Sequence, residues 1–513
     1  MLGCLLAGVG GVVALSLGWR GADWPAQLYR VDLFRRVGFT QWDNQWYGGH
    51  HTPGYSLLLP PLGAVFGVRA VGVASGVLAT WAFAMVVRRR LPEPAMAVGI
   101  AVCLFGIGTV SNVVVGRVTF GLGLAVGMLA AAALFADRFG WAVVLAVATP
   151  LASPVAGLFV AVLGVAFALS ARPVRRSGLV VALAAAAPIA VLSVTFPEGG
   201  RFPFLFGDFV LTAGLAAVAA WRLPPRYRTL RLGAGLYALG AVAVFVVPNP
   251  LGGNFSRLAV YTAAPLAAAL LWRRIWLAVP AVLALLVWQW QPAFDGMTAA
   301  RSDPSLRPGY YEGLLDAVSR LPATRIEIPF TRRHWEAARV APHVALARGW
   351  ERQIDIGLNP LFYRPGLTAA AYRSWLVENA IAYVALPDAE LDQSAKAEAA
   401  LLEQGMPGLV LIWSDAHWRM WRVDGSRPMV EGSARLERIE PDNFTLAVAA
   451  PGDLLVRVRY SSHWDVQGPG CIAESSDGWT LIRTPRTGPL RVRQVVSRWV
   501  PLAPNKTDTC PRG

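Results

Sequence analysis

The chain has 513 residues, 55% hydrophobic and 15% charged, with mean hydropathy +0.44 and a formal net charge of +15. Soluble globular chains carry about 25% charged residues, so an ordinary soluble domain is excluded. The positive charge need not mean nucleic acid, and no nucleic-acid partner is expected: much of the basic excess sits in short loops between apolar runs, where membrane topology accounts for it, or in the C-terminal part.

Before residue 292, apolar runs near bilayer length recur between short basic loops. Lipid cannot satisfy exposed backbone N–H and C=O groups, so such runs must be helical. About eleven spans are expected, at 1–19, 68–87, 94–113, 118–136, 140–151, 153–171, 177–195, 205–222, 232–247, 258–272 and 275–291. The first run lacks a basic start and is followed by further spans, so it does not read as a secretory signal. The pair around Ser153-Pro154 reads as two spans or as one broken helix. The segment 55–67 (YSLLLPPLGAVFG) is too short and too proline-rich to span, and reads as a re-entrant or interfacial piece. The arginines at 88–90, 172–176, 222–231 and 273–274 fall on one side, expected to be the cytoplasm. The loops 21–62, 196–204 and 248–257 fall on the other. The N-terminus is then cytoplasmic and the C-terminal third extracytoplasmic, at the plasma membrane. Arg20, Arg30, Arg35 and Arg36 defy this rule in the first outer loop, which suggests a local task such as gripping an anionic headgroup.

After Gln291 the composition changes. Helix periodicity is expected over Tyr310–Leu321 and Ala369–Asn379, and buried strands at Arg325–Phe330, Ile381–Leu386 and Val410–Trp413. From about residue 430 short alternating runs such as DLLVRVRY and PLRVRQVV, separated by Gly, Pro and Asp, predict a small β-sandwich. The expected organisation is a polytopic α-helical membrane domain at 1–292 with a long outer loop at 20–67, an α/β subdomain at 293–428 and a β-sandwich at 429–513, with a frayed tail after Pro501. Cys4 and Cys103 lie in apolar runs and read as buried thiols. Cys471 and Cys510 could pair if the C-terminal part is outside the cytoplasm, although nothing in the sequence fixes their separation in space. The Asn505-Lys506-Thr507 sequon carries little weight.

The chemistry concentrates in Gly21–Leu62. This stretch holds three carboxylates (Asp23, Asp32, Asp43), the rings of Trp24, Tyr29, Trp42, Trp46 and Tyr47, and the histidines His50 and His51. A long structured loop of this kind is usually functional. Asp23 lies just after the first span, and His51-Thr52-Pro53-Gly54 followed by Pro60-Pro61-Leu62-Gly63 closes the loop. In these features the loop resembles the GT-C superfamily of membrane glycosyltransferases. The resemblance implies a polyprenyl-phosphate-linked sugar as donor, a cell-envelope glycan or glycolipid as acceptor, and a catalytic acid in the first outer loop. It departs from the protein mannosyltransferase branch in that Trp24, not a second acid, follows Asp23, and in that the histidine and Pro-Pro-Leu-Gly are separated. The segment Arg348–Asp355 (RGWERQID) resembles a feature of large bacterial membrane proteins of this kind, with no mechanism attached.

Such a transfer needs a carboxylate to take the acceptor's hydroxyl proton, cations to meet the charge developing on the phosphate, and rings for the apolar face of a sugar. Asp23 is the first choice as base, with a loop cap as the plain alternative. Asp32, paired with a nearby arginine, and Asp43, in a Trp-Asp-Asn turn, read first as structural and second as alternative bases or ligands of a divalent cation. No Cys/His cluster has metal-site spacing. His50, His51, Trp46 and Tyr47 are substrate-binding candidates, although two adjacent histidines in a Gly-rich turn are more often hydrogen-bonded scaffold. Arg201 and Arg257 are candidates for the phosphate, with Asn254 and Ser256 placed to help at a helix start; the alternative is arginines snorkelling to headgroups. Arg117 and Asp208 lie at span ends, where an ionisable group is a functional candidate by default. Trp413, Trp418, Trp421 and Trp464 read mainly as core and secondarily as a sugar-binding face. The alternatives to an enzyme are a transporter or flippase, and an envelope-assembly scaffold. A transporter places its polar groups and broken helices at the midplane, whereas here they cluster at the outer ends.

Overall fold

The computed structural model describes residues 1–495 and 510. It separates into two compact units, one of Met1–Gln27 with Pro53–Ser302 and one of Leu28–Thr52 with Asp303–Gly513.

The first unit is helical: α1 (Leu2–Ser16), the start of α2 (Trp24–Val37), α3 (Leu59–Phe66), α4 (Val68–Arg90), α5 (Ala95–Val115), α6 (Val118–Phe135), α7 (Phe139–Ala152), α8 (Pro154–Ser170), α9 (Arg175–Thr195), α10 (Phe206–Arg222), α11 (Arg228–Val246), α12 (Arg257–Leu270) and α13 (Ile275–Ser302). A helix stands at each apolar run read from the sequence. Among the described residues six are long and apolar enough to cross a membrane, and α1, α7 and α8 are shorter apolar helices. Small residues let these helices approach closely, the usual device where lipid removes the hydrophobic drive for packing. A Cβ on Gly106 would lie 2.3 Å from the Gly3 carbonyl oxygen, and one on Gly164 would lie 2.7 Å from that of Gly178. The Ser153-Pro154 break yields two helices, not one. Ser153 is extended and Pro154 starts α8, where its missing N–H costs nothing. Pro150 and Gly157 meet across the break. The segment 55–67 forms the eight-residue α3. Helix α13 runs eleven residues past its expected end at Gln291, because Ala293, Gly296 and Ala299 continue its buried face.

The second unit contains the rest of α2, a two-residue hairpin of β1 (Trp42–Asp43) and β2 (His50–His51), an α/β layer and a sandwich. The α/β sheet has the order β4 (Ala345–Leu346), β3 (Arg325–Glu327), β5 (Ile381–Pro387), β7 (Trp418–Val423), β6 (Leu409–Ser414), parallel on the β3 side and antiparallel from β5 onward. Helices α14 (Glu312–Ser319), α15 (Glu336–Arg339), α16 (Arg352–Leu358), α17 (Ala369–Glu378) and α18 (Lys396–Glu403) accompany it. The expected strand over Arg325–Phe330 pairs only as far as Glu327. The run Val410–Trp413 is not buried as expected: β6 is the sheet edge and exposes Val410, Leu411 and Ile412. The sandwich is built from β8 (Val430–Glu431), β9 (Ala434–Glu440), β10 (Asn443–Val448), β11 (Gly452–Arg459), β12 (Trp464–Gln467), β13 (Cys471–Glu474), β14 (Trp479–Thr484) and β15 (Gly488–Gln494). Its sheets run β12-β15-β10-β9 and β13-β14-β11-β8 around Phe444, Leu446, Val456, Val458, Ile482 and Val492. Cys471 and Cys510 form a disulfide. The tail expected to fray and the Asn505 sequon lie outside the described residues.

Candidate active site

Asp23 is placed by the turn between α5 and α6. The last carbonyls of a helix have no partner within it, and the chain leaving α1 supplies donors: Gly21 N to Val114 O at 2.8 Å, Asp23 N to Val115 O at 3.0 Å, and the Trp24 indole to Val113 O at 2.9 Å. Gly116 caps α5 in the left-handed region at φ 91°, and its own N–H closes onto Asn112 O and Val113 O. The next residue, Arg117, thereby faces Asp23.

The Asp23 carboxylate lies 3.5 Å from Arg117 Nε and 4.0 Å from Arg257 Nη2, and all three side chains are about four-fifths buried. Arg257 opens α12 and lies over the Phe120 ring at 5.2 Å. The Tyr261 hydroxyl, on the same helix as Arg257, is within 3.2 Å of Ser111 Oγ. Gln27 donates to the Tyr55 hydroxyl at 2.9 Å and accepts from Thr119 at 2.5 Å. Beside Arg117 a cavity of about 10 Å³, room for one water, is lined by Thr109 and by the buried Asn112 amide, neither of whose polar atoms has a partner. One carboxylate between two arginines, bordered by hydroxyls and an aromatic face, can hold an oxyanion and accept a proton.

The other sequence candidates are not brought to this place. Asp32 is half exposed and ion-paired to Arg36 at 2.8 Å. Asp43 is fully buried in the second unit, accepting from the Tyr29 hydroxyl at 2.8 Å and from Gln45 N at 3.0 Å. His50 stacks on Trp46 and lies 3.2 Å from Asp43 O and 3.9 Å from Glu351. His51 meets the edge of Trp42. Trp46 is buried with its indole on Ala337 O, and the Tyr47 hydroxyl donates to Glu351 O. These residues knit the loop into the second unit. Arg201 is exposed, and Asn254 sits half-buried in the turn before Arg257. Asp208 accepts from the Trp288 indole at 3.1 Å. Among the described residues no group of three or more His, Cys, Asp or Glu side chains is placed to hold a metal ion. Tyr55, Gln27, Thr119 and Tyr261 were not singled out from sequence. For Tyr261 a signal existed: it follows Arg257 by four residues, on the same helix face.

The RGWERQID segment is a buried charge cluster. Arg348 donates to Asp355 at 2.7 Å and to Glu398 at 2.7 Å, lies 3.7 Å from Glu327, and is sandwiched between the rings of Phe330 and Phe362. Burial, reinforced by Glu398, pushes the Glu327 carboxyl well above its ordinary range against the pull of Arg348. Burial likewise pushes Glu398 up to about 7.

No protein-family model and no curated protein matches the chain. Among solved structures, the chain is similar to a cryo-EM structure of a mutant of the arabinofuranosyltransferase AftD from Mycobacteria, at 16% identity and a TM-score of 0.46, over 82% of this chain and 41% of that one. It is also similar to a crystal structure of ArnT from Cupriavidus metallidurans bound to undecaprenyl phosphate, at 14% identity and a TM-score of 0.40, over 83% of this chain and 98% of that one. The chain thus spans about two fifths of the AftD structure's length.

Proposed function

We propose that the chain is a membrane glycosyltransferase of the GT-C type. In this reading it moves a sugar from a polyprenyl-phosphate donor to a cell-envelope acceptor on the outer side of the plasma membrane. The observation that supports it is the Asp23 carboxylate set between Arg117 and Arg257. The first-loop resemblance points to the same acid, and the alternation of spans assigns all three residues to one side. Two arginines at the ends of separate helices form a site for the donor's phosphodiester monoanion and for the second negative charge that develops as polyprenyl phosphate leaves. Arriving phosphate competes with Asp23 for the guanidiniums and releases the carboxylate to act. The acceptor hydroxyl oxygen then bonds to the anomeric carbon as the bond from that carbon to the phosphate oxygen breaks. The hydroxyl proton goes to Asp23, and the electron pair leaves with the polyprenyl phosphate, whose charge the arginines meet.

The test is transfer from radiolabelled polyprenyl-phosphate sugars in membranes carrying single variants. Asp23→Asn keeps the shape and removes the base, so kcat should fall by about 10²–10⁴-fold with donor binding largely kept. Arg257→Ala should act mainly through a raised KM. Asp32→Asn, at an exposed ion pair, should transfer normally. Full transfer by Asp23→Asn refutes the assignment, and an unmodified protein that consumes no polyprenyl-phosphate sugar refutes the function.

A further inference from the structure

The second unit carries a groove that the proposed transfer chemistry does not use. It lies between α14 and the β6–β7 hairpin, with a volume of about 330 Å³, inside the range of about 300–1,000 Å³ usual for small-ligand pockets. Its lining combines an indole, Trp413, with two carboxylates, Asp316 and Asp415, one guanidinium, Arg320, and the buried Met420.

The Asp415 carboxylate is oriented by its own turn. Its Oδ1 accepts from His417 N at 2.8 Å and Trp418 N at 2.7 Å. Its Oδ2 instead faces Gly313, where a Cβ would lie 2.2 Å away and 3.6 Å from the Trp413 ring. Glycine at 313 therefore keeps open the space in which carboxylate and indole stand side by side. One turn along α14, Asp316 and Arg320 are 3.8 Å apart and about 80% exposed, available to a ligand.

We propose that this groove binds a neutral glycan. A half-buried indole beside a carboxylate suits a sugar ring: its C–H face covers the open part of the aromatic surface, and its hydroxyls donate to Asp415 and Asp316 and accept from Arg320. Two carboxylates against one guanidinium leave the groove net negative, so anionic sugars and phosphate-bearing lipids are repelled. The ligand is therefore acceptor-like, not donor-like, in chemistry. The site stands whether or not Asp23 performs transfer.

The experiment is saturation-transfer NMR on the full chain in nanodiscs. The neutral probes are maltotetraose, mannotetraose and chitotetraose; tetragalacturonate is the anionic probe. At least one neutral tetrasaccharide should receive saturation, and tetragalacturonate none. Trp413→Ala should weaken that binding by about tenfold or more, and Trp413→Phe, which keeps a ring, by less. Gly313→Ala, which displaces the Asp415 carboxylate and leaves the indole in place, should weaken it independently. The proposal is overturned if no neutral probe receives saturation, if tetragalacturonate binds as well as they do, or if Trp413→Ala and Gly313→Ala both bind like the unmodified chain.

Discussion

Gly116→Ala tests the proposed site through its scaffold, leaving every proposed reacting group chemically unchanged. Gly116 adopts φ 91° and ψ 17°, where an L side chain costs about 1–2 kcal/mol. The larger effect is steric. The added Cβ would lie 2.4 Å from Trp24 N and 2.9 Å from the Asp23 carbonyl carbon. Ordinary contact begins at 3.4 Å, so the Trp24 backbone must retreat by 1.0 Å. Both obstructing atoms are main chain, so no side-chain rotation relieves the clash. The segment that moves is the one that holds Asp23 against Arg117. A misplacement of about 1 Å costs on the order of 10²-fold in rate, so transfer per mole of protein should fall by about that factor. The assay is radiolabelled transfer normalised to folded protein, with the melting temperature measured alongside. Gly67→Ala is the control: it has φ 82° and nothing within 4 Å, so it carries backbone strain without displacement and should lose no more than a few-fold. Full activity in Gly116→Ala, or an equal loss in Gly67→Ala, would refute the argument that this turn positions the base.

The second unit should be more stable at pH 5 than at pH 8. Glu398, raised from an ordinary 4.5 to about 7, and Glu327, raised further, bind protons more tightly folded than unfolded. Their contribution is full below the unfolded value and fades as pH climbs through the folded one, by about 3 kcal/mol for Glu398; hydrogen exchange of peptides from 325–403 that is slower at pH 8 than at pH 5, after correction for intrinsic rates, would contradict it. Arg348→Met strands three buried carboxylates and should cost about 3–5 kcal/mol in chemical denaturation, whereas Glu327→Gln, replacing a carboxyl whose oxygens have no hydrogen-bond partner, should raise stability at pH 8. A reporter active only in the cytoplasm, fused after Gly425, should be silent; strong signal would overturn the proposed sidedness.

Apolar run length is a local property, and it located every helix of the first unit from α4 to α13 within a few residues, α13's far end excepted. Helix α2 was not legible because its buried positions include Gln27 and Arg30. Those polar groups are buried only because distant residues receive them: Gln27 meets Thr119, and Arg30 pairs with Glu351, 321 residues away. The same is true of residues 28–52 as a whole. Trp42 lies in the sandwich core beside Trp464 at 5.8 Å, and Asn44 donates to Glu440 O at 2.9 Å. Composition offers no sign that part of a loop between two apolar runs completes a β-sandwich near the far end of the chain. The exposed β6 has the converse cause: LVLIWS reads as core, and only the strand order makes it an edge.

The three loop carboxylates look alike in sequence and differ only in what surrounds them. Asp32 keeps its charge partner within one helical turn, in solvent, where an ion pair is worth little. Asp43 is fully buried with its oxygens on Tyr29 and Gln45, so a substrate hydroxyl cannot reach it without breaking the core. Asp23 alone of the three shares its carboxylate between two arginines held on other helices. Those interactions are long, and in the proposed reaction the incoming phosphate takes them over. The arginines divide on similar grounds. Arg201 and Arg257 both sit in loops expected to be outer, against the topology rule, but Arg257 opens α12 beside Phe120, whereas Arg201 is exposed. Arg117 drew notice only as a span-end cation. Its weight comes from Gly116, whose left-handed cap turns the chain so that the next side chain meets Asp23 and not the bilayer. The proposed base and its proposed phosphate-binding partner are thus tied to one turn, and the proposed chemistry at Asp23 depends on the backbone geometry at residues 113–117.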